Sequence, residues 1–396
     1  MKAELASLIV ITAIAAGVPI LVGMLRIKVA QVVLLLAGGI VCGPSVLGLI
    51  TIDDPIALLS ELGLGLLFFL AGMELEGRSM RGRSGKLAAG GWITSILLAL
   101  GLSALLAASG VIKDFAGFAI ALTSTALGTL LPILRDNGSL GGRFGTYFMG
   151  AGAWGEFGPI IAIAVFLSTR SSWAALLTLV LFFVIATIIG ALSRVLKTER
   201  IRVIVFGGYS TSSQTGVRLS MLIIVLFLGL AIGLGFDAVL GAFIAGILAR
   251  RIVPRVEESP LEVRLEAVAF GFFVPIFFVV SGAKLDVDSI IANPLPMILA
   301  FVALFLVRAV PQFVIYRKAI PDFAERASFA LLVGTALPII VALTTIEVDA
   351  GAMTTSSAAA LVGAGALTVL VFPLASSILS KRIKQSIDAD PAAVAR

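Results

Sequence analysis

The sequence predicts an all-α polytopic membrane protein with about 13 transmembrane helices. Three observations lead there. Hydrophobic residues make up 59% of the chain and charged residues 13%, a balance ordinary soluble domains do not show. Apolar segments of bilayer length recur from end to end. The lysines and arginines collect in the loops between alternate segments, so the charge of +6 reads as a positive-inside bias, with no nucleic-acid partner expected. The longest polar stretch, about Ser193 to Ser220, is too short to build a soluble core.

In order, the spans are expected at 5–24, 29–50, 55–73, 87–109, 115–134, 144–168, 173–193, 219–235, 237–250, 265–282, 292–312, 326–346 and 354–379. The first has no clear small-residue cleavage site and reads as a retained span. The second holds the single cysteine, Cys42, which excludes a disulfide within the chain. With no histidine and one thiol, zinc sites and Cys/His nucleophile pairs are absent, and no cofactor is expected. Glu61 lies a few residues into span 3, as a structural or entrance group. Span 5 carries Thr123-Ser124-Thr125-Ala126, then Gly128 and Pro132.

Span 6 contains Gly150-Ala151-Gly152-Ala153-Trp154-Gly155-Glu156-Phe157-Gly158-Pro159-Ile160. Glu156 is the only charged side chain between Thr146 and Leu167. A carboxylate at membrane depth costs roughly 2.5–3.5 kcal/mol, so such a group faces protein or a water-filled cavity and serves ions or protons. The glycines leave one face of the helix bare for a neighbouring backbone or water. The spelling G-x-G-x-x-G here follows no strand and carries no dinucleotide reading, and Gly207 to Gln214 lacks the lysine of a phosphate loop. Arg308 lies inside span 11, either steadying the site with its fixed charge, paired to Glu156, or snorkelling to the surface near Arg317. Span 13 leads into a short tail, 381–396.

Of the 29 Lys and Arg, most flank odd-numbered spans on their C-terminal side. That places the amino terminus outside and the carboxyl terminus in the cytoplasm.

Internal repetition follows. Gly128-Thr129-Leu130-Leu131-Pro132-Ile133 in span 5 recurs as Gly334-Thr335-Ala336-Leu337-Pro338-Ile339 in span 12. Phe68-x-x-x-Gly72 in span 3 recurs as Phe278-x-x-x-Gly282 in span 10. Each repeat moves the chain by an odd number of spans, so the second copy is upside down. Spans 1–6 and 8–13 are then two inverted six-helix repeats, with span 7 as connector. Spans 5 and 12 are expected to be discontinuous helices broken at Gly128, Pro132, Gly334 and Pro338, since a mid-membrane proline removes a backbone bond and clashes with the carbonyl four residues earlier. Freed carbonyls and the hydroxyls of Thr123, Ser124 and Thr125 suit a small cation beside Glu156. The bland alternative is a kinked helix whose hydroxyls bond back to its own backbone.

These residues resemble the monovalent cation:proton antiporters, in the branch of bacterial Na+/H+ antiporters and Kef-type K+/H+ proteins. Leu36 through Gly48 resembles that family's second span, Glu61-Leu62-Gly63 through Gly72-Met73-Glu74-Leu75 its third, and Thr123 through Ala126 its first helix break. Leu240 through Gly246, and Pro275-Ile276-Phe277-Phe278 with Gly282, resemble its later landmarks. The resemblance implies a transporter domain over 1–380 with crossed broken helices. It further implies a scaffold and dimer part at about 1–76 and 217–285, a linker helix at about 173–195, and a mobile core at about 86–168 and 292–380 that moves as an elevator. Glu156 falls where the family carries its cation- and proton-binding Asp, and Arg308 where many members carry Lys. The essential acid is thus one methylene longer, and Gly155 stands where relatives often carry Asp, Asn or Gln. The chain ends 16 residues beyond Ser380, so the nucleotide-binding domain of Kef-type proteins is not expected.

A bare carboxylate is held back at a hydrocarbon barrier, whereas one neutralised by H+, Na+ or K+ is not. One titrating acid predicts electroneutral exchange of one H+ per cation, in a bacterial inner-membrane homodimer surrounded by lipid. A Na+-coupled organic-anion symporter and a non-transporting sensor of the same fold are the alternatives. No second catalytic acid, histidine or reactive cysteine accompanies Glu156, which argues against an enzyme.

Overall fold

A computed structural model describes residues 2–25, 30–74, 82–110, 112–136, 142–166, 180, 184, 187–188, 214–234, 238–252 and 260–389. Among them every regular element is helical. Among the described residues nine stretches are long and apolar enough to cross a membrane: Leu5–Met24, Asp54–Met73, Gly82–Ala108, Gly142–Phe166, Thr215–Gly233, Leu261–Ala283, Leu295–Lys318, Phe323–Asp349 and Thr355–Leu379. Two shorter apolar helices, Gln31–Cys42 and Ala238–Arg250, accompany them. The protein is therefore a multi-pass membrane protein. The connector expected at 173–193, apart from positions 180, 184 and 187–188, and most of the basic loops lie outside the described residues.

Helix α1 spans Lys2–Leu25, α2 Gln31–Cys42, α3 Asp54–Glu74 and α4 Gly82–Ala108. α2 stops well short of the expected position 50. Pro44 disfavours helical backbone at Gly43, and a turn follows that uses positive φ at Gly48 (62°). The segment expected as one span at 115–134 is two short helices, α5 (Phe115–Ala121) and α6 (Leu127–Asp136), separated by Leu122–Ala126. α7 runs from Gly142 to Phe166, α8 from Thr215 to Gly233 and α9 from Ala238 to Ile252.

α10 (Pro260–Val268) passes through a π turn at Ala269–Phe273 into α11 (Val274–Ala283). After α12 (Val287–Ala292), α13 (Leu295–Leu304) does the same at Phe305–Ala309 before α14 (Val310–Ile315) and a 3₁₀ turn, Tyr316–Lys318. Each π turn ends two residues before a proline, Pro275 and Pro311. The missing N–H and the bulk of the ring explain the widened turn, because one extra residue relieves the clash. α15 (Phe323–Val333) and α16 (Pro338–Asp349) are separated by Gly334–Leu337, and α17 spans Thr355–Ala389.

The chain divides into two compact units. One comprises Met1–Leu21, Leu35–Glu76 and Ile160–Lys284; the other Val22–Leu34, Gly77–Pro159 and Leu285–Arg396. In the first, glycines let backbones touch. A Cβ on Gly72 would strike the Phe243 carbonyl, and one on Gly246 the Phe69 carbonyl, so α3 and α9 press together from both sides. Gly39 and Gly282 do the same for α2 and α11, against the carbonyls of Val279 and Leu36. Membrane helices gain little from burying apolar surface against each other, so close approach over small residues supplies the contact.

The second unit packs Leu127, Leu130 and Leu134 of α6 against Tyr147 and Phe148 of α7, with Tyr316 and Phe329. Both interrupted helices, Glu156 and Arg308 belong to this unit.

Candidate functional site

The site begins with a proline. Pro159 has no N–H to give the carbonyl four residues back, which is that of Gly155. Thr125, in the α5–α6 interruption, donates its backbone N–H to that carbonyl at 2.9 Å. The next residue, Ala126, donates its N–H to the Thr335 carbonyl in the second interruption at 2.7 Å. The Thr125 hydroxyl donates to the Val333 carbonyl at 2.8 Å. The two breaks are thus tied to each other and to α7 by backbone groups that their unwinding exposed. Thr368 of α17 clasps the second break: its hydroxyl accepts from the Ala336 N–H at 3.0 Å and lies 3.0 Å from the Ala336 carbonyl.

The first interruption falls at Leu122–Ala126, on the Thr123–Ala126 stretch and ahead of the positions the proline suggests. Gly128 is already the second residue of α6, and Pro132 sits further along the same helix. Gly334 and Pro338 border the second break, as the residue after α15 and the first of α16. Proline at the first helical position loses nothing, because that N–H has no partner within the helix.

Glu156 is 5% exposed. Its Oε1 accepts from the Gly128 N–H at 3.3 Å, so the amino end of the half-helix α6 points at the carboxylate, where its partial positive charge favours an anion. Its Oε2 is buried and takes no hydrogen bond.

Arg308 is fully buried, 0% exposed, in the π turn that Pro311 imposes. It neither snorkels nor pairs with Glu156. Its Nε and Nη2 donate to the Thr125 hydroxyl oxygen at 3.0 and 2.9 Å, and Nη2 also donates to the Ala151 carbonyl at 3.0 Å. With its hydrogen given to Val333 and both lone pairs to Arg308, that hydroxyl has no capacity left. Thr125 therefore holds the arginine in this arrangement. Thr123 and Ser124 donate backwards, to the carbonyls of Ile120 at 2.9 Å and Ala121 at 2.8 Å. Their lone pairs stay uncommitted, although both side chains are fully buried. Glu61 is exposed, in the other unit.

Gly155 now has a local reason. A Cβ there would collide with the Thr125 hydroxyl and the Arg308 Nη2. The guanidinium fills the space that a side chain at 155 would occupy. Four roles escaped the sequence reading: Pro159 as the source of a free carbonyl, Gly155 as clearance, Ala151 as an arginine acceptor and Thr368 as a clasp. Only Pro159 left a signal, since the four-residue rule points from it to Gly155.

A sequence profile described as "Sodium/hydrogen exchanger, transmembrane" matches residues 10–382. The chain belongs to that family. Among relatives of this chain, YjbQ of Bacillus subtilis (strain 168), named provisionally as an Na+/H+ antiporter, is 27% identical over 96% of this chain and 64% of its own length. The Na+/H+-K+ antiporter GerN of Bacillus cereus is 28% identical over 71% of this chain and 72% of its own. The chain therefore spans just under two thirds of YjbQ and somewhat more of GerN. The solved sodium proton antiporter MjNhaP1 from Methanocaldococcus jannaschii, at pH 8, shares the fold with a TM-score of 0.60 at 17% identity, covering 94% of this chain and 95% of that one.

Among the described residues no group of three or more acidic, cysteine or histidine side chains is placed to hold a metal ion. The chemistry on offer is that of one carboxylate. One oxygen is steadied by a helix end, and the other is open to a proton or a small monovalent cation.

Proposed function

We propose that the protein exchanges Na+ or K+ for H+ across a bacterial inner membrane, with Glu156 as the shared site for both. The observation that carries this reading is the uncommitted Glu156 Oε2, buried beside two interrupted helices while Arg308 is held by Thr125 and Ala151. A carboxylate in a low-dielectric interior must be neutralised before its helices move, and either ion does that. The two ions then compete, and an empty site does not cross. Arg308 cannot release a proton at any working pH, so a single titrating group gives one H+ per cation and electroneutral exchange. Thr123 and Ser124 supply further oxygens, Thr125 holds Arg308, and the basic charge compensates the carbonyl ends of the half-helices. The names of GerN and YjbQ support the choice of ions.

We further propose 13 spans in two inverted repeats, the amino terminus outside and the carboxyl terminus cytoplasmic, and a homodimer formed through the scaffold part. The shared glycine packing of Gly72 and Gly282 supports the repeat. The division into two units, with the interrupted helices in one, supports an elevator in which that unit carries the ion. No observation favours an organic-anion symporter or a non-transporting sensor.

The test is pH-gradient-driven cation flux in proteoliposomes, with Na+ and K+ in turn. Glu156→Gln abolishes flux while the protein still folds; undiminished flux in that variant removes the site. Net exchange driven by an imposed membrane potential alone overturns electroneutrality.

A further inference from the structure

A second pair of acids lies at the far ends of the two interrupted helices. Asp114 caps α5, its Oδ1 accepting from the Gly117 N–H at 2.9 Å, while its Oδ2 is buried without a hydrogen bond. Glu347, near the end of α16, is 4% exposed, and among the described residues its side chain makes no hydrogen bond. Both carboxyl groups converge on one point. A Cβ on Gly117 would strike Asp114 Oδ2 and lie 2.8 Å from Glu347 Oε1. The absence of a side chain at 117 is what lets the two acids meet.

No base faces them. α4 packs on α5, but its only charged residues, Arg83 and Lys86, lie in its first turns, about 30 Å along the helix from the end that leads to Asp114. α17 packs on α16, and its charged residues all lie at or beyond Lys381, at the opposite end from Thr355. Lys113 and Asp349 are exposed. Asp286 is engaged by Ser289 and Thr355, and Asp288 is exposed. Two carboxylates brought this close, Glu347 buried and Asp114 half-buried, are not both stable as anions; one shared proton removes the repulsion and satisfies the bare Asp114 oxygen.

We infer that Asp114 and Glu347 form a second protonation site, a carboxylic acid–carboxylate pair that holds a single proton and fastens the start of α5 to the end of α16. When that proton leaves to water at alkaline pH, two anions face each other and the ends of the half-helices are pushed apart. The site on its own requires nothing of Glu156; its effect on exchange rests on the function proposed above.

Infrared difference spectra of the whole protein between neutral and alkaline pH test it, recorded in the Glu156→Gln background so that the proposed exchange acid is silent. The expected result is one protonated-carboxyl C=O band that vanishes on alkalinisation and is missing in both Glu347→Gln and Asp114→Asn, the latter keeping the cap. No band, or a band that survives both substitutions, overturns the pair. Loss of the band at fixed pH on adding Na+, K+ or Ca2+ alone shows a cation site and overturns the one-proton assignment. In parallel, Glu347→Gln with Glu156 intact loses the alkaline inflection of the exchange-versus-pH curve. A present band with no exchange in wild type separates failure of the Glu156 reading from failure of this one.

Discussion

Removing one oxygen should unsettle the whole site. The Thr125 hydroxyl accepts two of the three hydrogen bonds that hold Arg308 and donates one to the Val333 carbonyl across the two helix breaks. Thr125→Ala leaves the buried guanidinium with the Ala151 carbonyl alone. A hydrogen bond to a charged group contributes about 1.5–3 kcal/mol, and stripping the partner from a buried charge costs about 3–5 kcal/mol. Because the two bonds share one acceptor, they do not add in full, and a loss of about 2–4 kcal/mol is expected. Thr125→Val, which keeps the shape without the oxygen, should fall as far. Thr125→Ser, which keeps the oxygen, should stay close to wild type. Unfolding in detergent reads this order. Flux reads its consequence, since a freed Arg308 turns toward Glu156 and competes with the cation, so apparent cation affinity drops in Ala and Val but not in Ser. Equal stability and affinity across the four proteins would refute the claim that Thr125 anchors the arginine.

Gly155→Ala forces a methyl group into the space taken by Thr125 and Arg308; about 1–3 kcal/mol of overpacking is expected, with loss of flux at unchanged membrane insertion. Gly246→Ala drives a Cβ into the Phe69 carbonyl, and because backbone cannot swing aside, detergent stability should fall more than in Gly229→Ala, where the added carbon meets nothing. Asp286 caps α12, and the Ser289 hydroxyl and N–H hold its carboxyl below the usual carboxylate range. Its contribution, about 0.5–2 kcal/mol for a cap, is present above the unfolded value of about 3.9 and lost as pH falls through the lower folded value. The stability gap between wild type and Asp286→Ala should therefore close in acid; a gap that widens there would contradict it.

The spans were legible because hydrocarbon demands long apolar runs, and Phe323–Asp349 or Thr355–Leu379 leave little room for another reading. The interruptions were legible in kind, but the prolines alone placed only the second one. Pro132 suggested a break at Gly128, whereas the backbone parts upstream, where Thr125 and Ala126 find carbonyl partners in α7 and the other break. Such partners come from residues distant in the chain, and no local propensity encodes them. Arg308 shows the same limit. Its position in the sequence offered Glu156 or the membrane surface, and tertiary contact supplied Thr125 and Ala151 instead. The π turns follow from Pro275 and Pro311 only once the helices are known to continue through them. Nothing in the sequence joins Asp114 to Glu347, since the glycine that lets them meet carries no mark of that duty.

Pro159 closes the chain of causes. By withholding a single hydrogen from its own helix, it keeps a socket open at Gly155, and the unwound segment between α5 and α6 plugs into that socket through Thr125. Geometry around the acid is consequently set by a fault in a rigid rod, which cannot drift the way a loop does. An alanine at 159 would let α7 reclaim its carbonyl, and the neighbouring segment would lose its moorings although no charged group had been touched.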